Sequence, residues 1–239
     1  MKDFVDHGGN MVILGEYERS ENMNSLGALF GVHFSDGVLA HPNKLGSPVV
    51  LCASYTDEAV EKHSAFNRMQ AWGYGVSVPT AVALDFSQVK DFEVYPVLVT
   101  GDSAWIEHET KDMVDGEFVC NPAAGEEEGN YAVLINLSRK IGDKEQRIII
   151  SGDSDFITNE EFGLTRPGME VNNFEVITGS FRWLSYDAYP IYTDRIGAID
   201  NGINLSGDWR VWIKLFFMIL FPAFLVGTGV MIIYRRQRK

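Results

Sequence analysis

The segment RIIISGDSDFITNEEF, residues 147–162, carries the clearest structural signal in this chain. Three consecutive isoleucines run into Gly152, and Asp153, Ser154 and Asp155 follow directly. A short apolar run of this kind is typical of a strand that is covered on both faces. Acidic and hydroxyl groups at the end of such a strand serve either as ligand-binding groups or as partners for exposed backbone amides. The polar residues therefore form either a ligand-binding site or a structural cap where the strand turns toward a helix.

Five other short apolar runs, rich in Val, Ile and Leu, predict further strands. With the opening segment, the predicted strands lie at residues 10–16, 47–55, 80–86, 95–101, 131–139 and 147–153. Near-continuous apolar strands are typical of parallel sheets that carry helices on both faces. The pattern predicts an α/β fold with an open, largely parallel sheet flanked by helices.

The strongest helix signal follows the opening segment, at residues 171–187. Apolar residues recur there at three- and four-residue steps, which predicts one buried face. That face would contain Phe174, Ile177, Phe181 and Leu184. Asn172 with Glu175 has the spacing of a capping box, and Thr158 with Glu161 repeats that spacing upstream.

The longest apolar stretch, residues 215–234, contains no charged residue and is followed directly by RRQRK. A helix of twenty residues rises about 30 Å, the thickness of the hydrocarbon core of a bilayer. Basic residues beside a membrane span favour the cytoplasmic side. The sequence predicts an extracytoplasmic α/β domain (1–192), a polar linker (193–208), a transmembrane helix (209–234) and a basic cytoplasmic tail (235–239). The protein would be a single-pass protein of the inner (cytoplasmic) membrane.

The charge distribution argues against nucleic acid as a partner. Residues 1–208 hold 14 basic and 33 acidic residues, whereas the remaining residues hold six basic and no acidic ones. An acidic body repels the phosphate backbone. The lipid bilayer is the partner that the basic, apolar C-terminus indicates.

Signatures of catalysis are not found in the sequence. No histidine pair has zinc-site spacing, and neither of the two glycine-rich nucleotide-binding motifs occurs. Cys52 lies in VVLCASY, without the glycines of a nucleophile elbow. Cys52 and Cys120 could pair in an oxidising compartment, although two distant thiols are more often simply buried. The sequence predicts a non-enzymatic protein without a metal or cofactor.

One local repeat suggests a binding edge. VLVTGDSAWIE (97–107) and IIISGDSDFIT (148–158) both run from a strand into Gly-Asp-Ser. Open α/β sheets bind ligands at the carboxyl ends of their strands. The candidate ligand-binding residues are Gly101, Asp102, Ser103, Gly152, Asp153, Ser154, Asp155 and Asn159. Asp153 and Asp155 could also hold Mg²⁺ or Ca²⁺ through water, but a structural role at the strand end is favoured.

Several stretches in order resemble the Gldg family, the auxiliary extracytoplasmic components of ABC transporters associated with gliding motility. They are DFVDHGGNMVILGE, NMNSLGALFGVHFSDGVL, RIIISGDSDFITN, NNFEVITGSFRWLSYD and the C-terminal span ending in YRRQRK. The resemblance implies a class I glutamine-amidotransferase-like domain without that class's catalytic machinery. It also implies structural roles, which fall on Gly152, Asp153, Ser154, Asp155, Phe156, Asn159, Asn173, Phe174 and Trp183. Permease and ATPase subunits are the implied partners.

The leading functional hypothesis is a non-enzymatic, membrane-anchored auxiliary domain of an ABC-type transport system. An extracytoplasmic module that binds a small molecule or glycan is the first alternative. A Cys52-dependent amidotransferase-like hydrolase is the second. Because residues 2–9 read as the last turn of a helix stopped at Gly8-Gly9, we expect the chain to be the C-terminal part of a longer, exported protein. A tail-anchored protein with a cytoplasmic domain is the competing explanation.

Overall fold

The computed structural model describes residues 1–42, 47–110, 112–113, 116–166, 168–189 and 207–238. The chain divides into two compact units, Met1–Ile191 and Tyr192–Lys239. The predicted linker at 193–208 lies outside the described residues, apart from its last two positions, which begin a helix.

The first unit is a mixed α/β fold. Its strands are β1 (Met11–Leu14), β2 (His33–Ala40), β3 (Val50–Tyr55), β4 (Val76–Pro79), β5 (Val82–Asp85), β6 (Glu93–Val99), β7 (Trp105–Glu107), β8 (Ala132–Ile141) and β9 (Lys144–Ser151). Its α-helices are α1 (Lys2–Asp6), α2 (Ser20–Gly27), α3 (Asp57–Lys62), α4 (Ser64–Ala71), α5 (Asn159–Gly163) and α6 (Asn173–Leu184). All six predicted strands are present, at β1, β3, β5, β6, β8 and β9.

The prediction of a largely parallel sheet is wrong. Six strands form one sheet in the order β1-β9-β8-β6-β3-β4, and β2 lies between β5 and β7 in a second sheet. Among these strand pairs only β1 and β9 run parallel. A two-residue turn, Gly142-Asp143, joins β8 to β9 as a hairpin, and Gly142 has a φ of 60°. Tight hairpin turns require a positive φ at the first turn residue, and glycine adopts this conformation readily.

The apolar runs mislead because this mixed sheet is covered on both faces. Ile149 of β9 packs into one hydrophobic cluster with Phe66 and Val176 from the helices. Ile148 and Ile150 point to the other face and join a second cluster. Burial on both faces removes the polar alternation that usually marks antiparallel strands, so the sequence pattern looks parallel.

Helix α6 begins where the sequence predicts, but only half of the predicted apolar face, Ile177 and Leu184, packs against the core. The Asn172 side chain accepts a hydrogen bond from the backbone amide of Glu175, which confirms the predicted cap. Phe174 and Phe181, however, are 60% and 53% exposed, and Val176 and Gly179 are buried instead. A Cβ atom on Gly179 would lie 2.5 Å from a ring carbon of Phe66. The glycine thus lets the helix approach α4 closely, and a glycine leaves no trace in a hydrophobicity pattern.

The second unit, described from Gly207, is a long apolar helix. It consists of α7 (Gly207–Leu215), a π-helical turn (Phe216–Leu220) and α8 (Phe221–Gln237). The π turn ends two residues before Pro222, whose ring nitrogen cannot donate a helical hydrogen bond, and such turns can accommodate the missing bond. Residues Val211–Gln237 are long and apolar enough to span a membrane, and no residue of their most apolar window is buried within the protein.

Candidate carboxylate site at the sheet edge

The two Gly-Asp-Ser segments do lie at the same edge of the six-stranded sheet. β6 and β9 are both antiparallel to β8, which separates them, so they run parallel to each other. β1 is parallel to β9, and its carboxyl end is therefore at this edge as well. The predicted edge thus survives the correction of the sheet's direction.

The two segments have different hydrogen-bond partners. Asp102 accepts a long hydrogen bond from Asn130, 3.5 Å, and the Ser103 hydroxyl lies 3.0 Å from Nε2 of His41. Among the described residues no hydrogen bond or ion pair joins residues 101–103 to residues 152–155. Asn159 is the first residue of α5 and is exposed.

Residue 152 is a glycine because the backbones of two neighbouring strands approach it closely. Its amide donates to the carbonyl of Val133, and its carbonyl accepts from the amide of Val82. A Cβ atom at residue 152 would lie 2.0 Å from the carbonyl oxygen of Val82. Residue 152 therefore joins β5 of the small sheet to the edge of the large one, and only glycine fits.

Asp153 is fully buried, and it organises the turn that follows β9. Its Oδ1 atom accepts the amide of Asp155 at 2.8 Å, and its Oδ2 atom accepts the amide of Phe156 at 3.2 Å. These contacts begin the short 3₁₀ turn Asp155–Ile157. A carboxylate that satisfies the first amides after a strand is a structural cap, the role that the sequence favoured.

A third carboxylate, Glu16, meets this turn from the end of β1. Ser154 donates its hydroxyl proton to Oε2 of Glu16 at 2.6 Å, and Thr80 donates to Oε1 at 3.3 Å. Thr80 has a φ of 51°, an uncommon conformation for a β-branched residue. Glu16 and Thr80 are not among the residues that the sequence predicts for this site. Glu16 offered a signal, because it is an acidic residue at the end of the predicted strand 10–16.

Glu16, Asp153 and Asp155 form the carboxylate cluster, in which one oxygen of each lies within 4.8 Å of the others. Burial is the largest cause that raises the pKa of Asp153, and with the charges of Asp155 and Glu16, and against the two backbone amides that lower it, the pKa reaches about 8. Asp153 therefore carries a proton at neutral pH. Carboxylates crowded in this way share a proton, or exchange it for a divalent cation with oxygen ligands.

The two cysteines provide no catalytic pair. Cys52 lies inside β3, opposite Ser77 of β4, and its sulfur packs close to Gly75. Cys52 is an exposed residue, but partial desolvation of its sulfur raises the pKa of the thiol, which disfavours the nucleophilic thiolate. Cys52 and Cys120 are both free thiols in this structure.

Comparisons with known proteins give no identification. No protein-family model matches the sequence, and no curated protein is significantly similar to it. The resemblance to the Gldg family thus stays a prediction.

Proposed function

We propose that this chain is a membrane-anchored, non-enzymatic accessory subunit of an ABC-type transport system. The helix Val211–Gln237 is the observation that supports a membrane anchor. Among the described residues of its unit, no protein surface covers its apolar side chains. The family resemblance in the sequence supplies the transport context. Permease and ATPase subunits are the proposed partners.

The proposed orientation follows from charge. Arg235, Arg236 and Arg238 lie at the end of α8, and positively charged flanks favour the cytoplasmic side. The acidic α/β unit would then be outside the cytoplasm, anchored to the inner membrane. In this position it would offer a binding surface to a partner or to cargo.

The non-enzymatic assignment is supported by the chemistry of the candidate residues. Asp153 uses both carboxylate oxygens to hold backbone amides, so it is occupied structurally. The Cys52 thiol forms no hydrogen bond with any described residue that could act as its base, and its raised pKa opposes activation. A Cys52-dependent hydrolase is accordingly the weaker proposal.

The test is affinity purification of the full chain from membranes of its source, in mild detergent, followed by identification of the associated proteins. Co-purification of an ABC permease or ATPase at near-stoichiometric amounts would support the proposal. A matched chain with Val211–Gln237 replaced by an unrelated transmembrane helix separates specific association from co-solubilisation. If neither chain recovers a transporter subunit, the proposed function is refuted.

A further inference from the structure

A cavity of about 410 Å³ lies between the large sheet and α6, near the first residues of β6 and β9, whereas residues 152–155 follow the end of β9. This volume lies within the range of small-molecule sites. Its lining includes Glu93, Ser138, Arg147, His63 and Trp183. None of these residues was a candidate in the sequence, and only the fold assembles them.

The floor of the cavity is a polar row across three strands. Glu93 of β6 pairs with Ser138 of β8, and Ser138 pairs with Arg147 of β9. The next row on the same face, Tyr95 and Asn136, is buried. The polar row therefore marks the place where the sheet leaves the hydrophobic core and faces the cavity.

Each cation that lines the cavity has an acidic neighbour in the lining. The ammonium of Lys62 lies 2.8 Å from Glu93. Nε of Arg147 donates to Glu145 at 2.7 Å, and the same guanidinium lies over the Trp183 ring. Arg182 and Asp187 form a third, longer pair at 3.9 Å. The lining is thus dense in charges but neutral in sum.

His63 adds a fixed neutral group. Its Nε2 atom lies 2.7 Å from the Tyr95 hydroxyl, which also accepts a hydrogen bond from Asn136. Burial, together with the charges of Arg147 and Lys62 and against the charge of Asp187, lowers the pKa of His63 to about 4, so the ring is neutral at physiological pH. Nδ1 of His63 and the hydroxyl of Ser138 have no hydrogen-bond partner among the described residues.

We propose that this cavity binds a neutral, hydroxyl-rich small molecule with the dimensions of about one or two sugar rings. An anion would need a surplus of cations, and a zwitterion would have to separate existing ion pairs. A hydroxyl group both donates and accepts. It can accept a hydrogen bond from Arg147 and donate one to Glu145 while their ion pair stays intact. It can also either donate to or accept from Nδ1 of His63, whichever tautomer the ring adopts. Trp183 is half-buried in the lining, and the part of its ring that the Arg147 guanidinium leaves uncovered would offer an apolar surface to the carbon-bound hydrogens of a sugar.

The test is a titration of the full chain in lauryldimethylamine oxide, because alkyl-glycoside detergents would compete for the cavity. The probes are glucose, galactose, mannose, maltose and lactose, with glycine betaine as the zwitterion and citrate as the anion. Tryptophan fluorescence reports binding through Trp183. We expect a saturable response to at least one sugar and none to betaine or citrate.

Variants locate the site. Arg147→Met should weaken binding by about tenfold or more, and Ser138→Ala by about fivefold, as expected for lost hydrogen bonds to charged and neutral groups. Arg68→Met, an exposed position on α4, is the matched control and should bind as the wild type does. If Arg147→Met does not fold, Ser138→Ala alone tests whether the sugar binds in this cavity.

Three outcomes would overturn the inference: no sugar giving saturation, sugar binding that neither variant weakens, or Arg147-dependent binding of betaine or citrate in place of sugars. None of these results bears on transporter association, so the inference and the proposed function fail separately.

Discussion

The buried carboxyl group of Asp153 leads to a pH-dependent stability that one substitution should remove. In the native state its pKa is about 8, compared with an ordinary value of 3.8. Between these two values the native protein binds one more proton than the unfolded chain. The free energy of unfolding therefore falls as the pH rises through this window.

The magnitude follows from proton linkage. One extra bound proton changes the free energy of unfolding by about 1.4 kcal/mol for each pH unit. Between pH 5 and pH 8 the wild type should lose roughly 4 kcal/mol through this group, as an upper limit. Asp153→Asn cannot ionise and should lack this loss. Its amide keeps one acceptor for the turn, so a pH-independent cost of about 1 kcal/mol for the other hydrogen bond is expected.

The assay is urea unfolding of the full chain in neutral detergent, followed by tryptophan fluorescence at intervals from pH 5 to pH 8. The difference in stability between Asp153→Asn and the wild type should grow steadily in favour of the variant as the pH rises. Asp102→Asn is the matched control, because it changes the aspartate of the other Gly-Asp-Ser segment, which is exposed. Parallel pH curves for Asp153→Asn and the wild type would show that Asp153 is not a buried, protonated acid.

Four further outcomes are expected. Asn173→Ala should lower the free energy of unfolding in urea by about 3 kcal/mol or more, because the Asn173 side chain makes two hydrogen bonds to the Ser77 backbone and one to the Phe156 carbonyl. Asn172→Ala removes only the helix cap and should lower it by about 1 kcal/mol. Equal losses for the two variants would contradict this expectation. Gly152→Ala should lower stability by about 3 kcal/mol or prevent folding, since the new Cβ would overlap the Val82 carbonyl, and an unchanged melting temperature would disprove the close approach. Millimolar Mg²⁺ or Ca²⁺ at neutral pH should leave the melting temperature unchanged, because the carboxylate cluster holds a proton; a rise that Asp153→Asn abolishes would instead identify a cation site. A reporter fused after residue 239 should be active on the cytoplasmic side of the membrane, and activity on the opposite side would reverse the proposed orientation.

The sequence alone determined the features that depend on local composition and spacing. The six predicted strands, the caps at Thr158 and Asn172, and the long apolar C-terminal helix are all present. Strands β2, β4 and β7 were missed, since β2 is interrupted by Asp36 and Gly37, β4 is interrupted by Ser77 and ends in Pro79, and β7 has only three residues. Short or interrupted segments give too little periodicity to identify a strand.

Only the tertiary structure decided which residues meet. Strand direction depends on pairing between distant segments, and burial on both faces hid the antiparallel order of β6, β8 and β9. Glu16 joins Asp153 because β1 pairs with β9, although the two residues are far apart in sequence. The face that α6 buries was set by Gly179, where a missing side chain permits close packing against Phe66. Hydrophobic patterns record side chains along one segment, whereas register and close approach are settled by the partners that each segment finds.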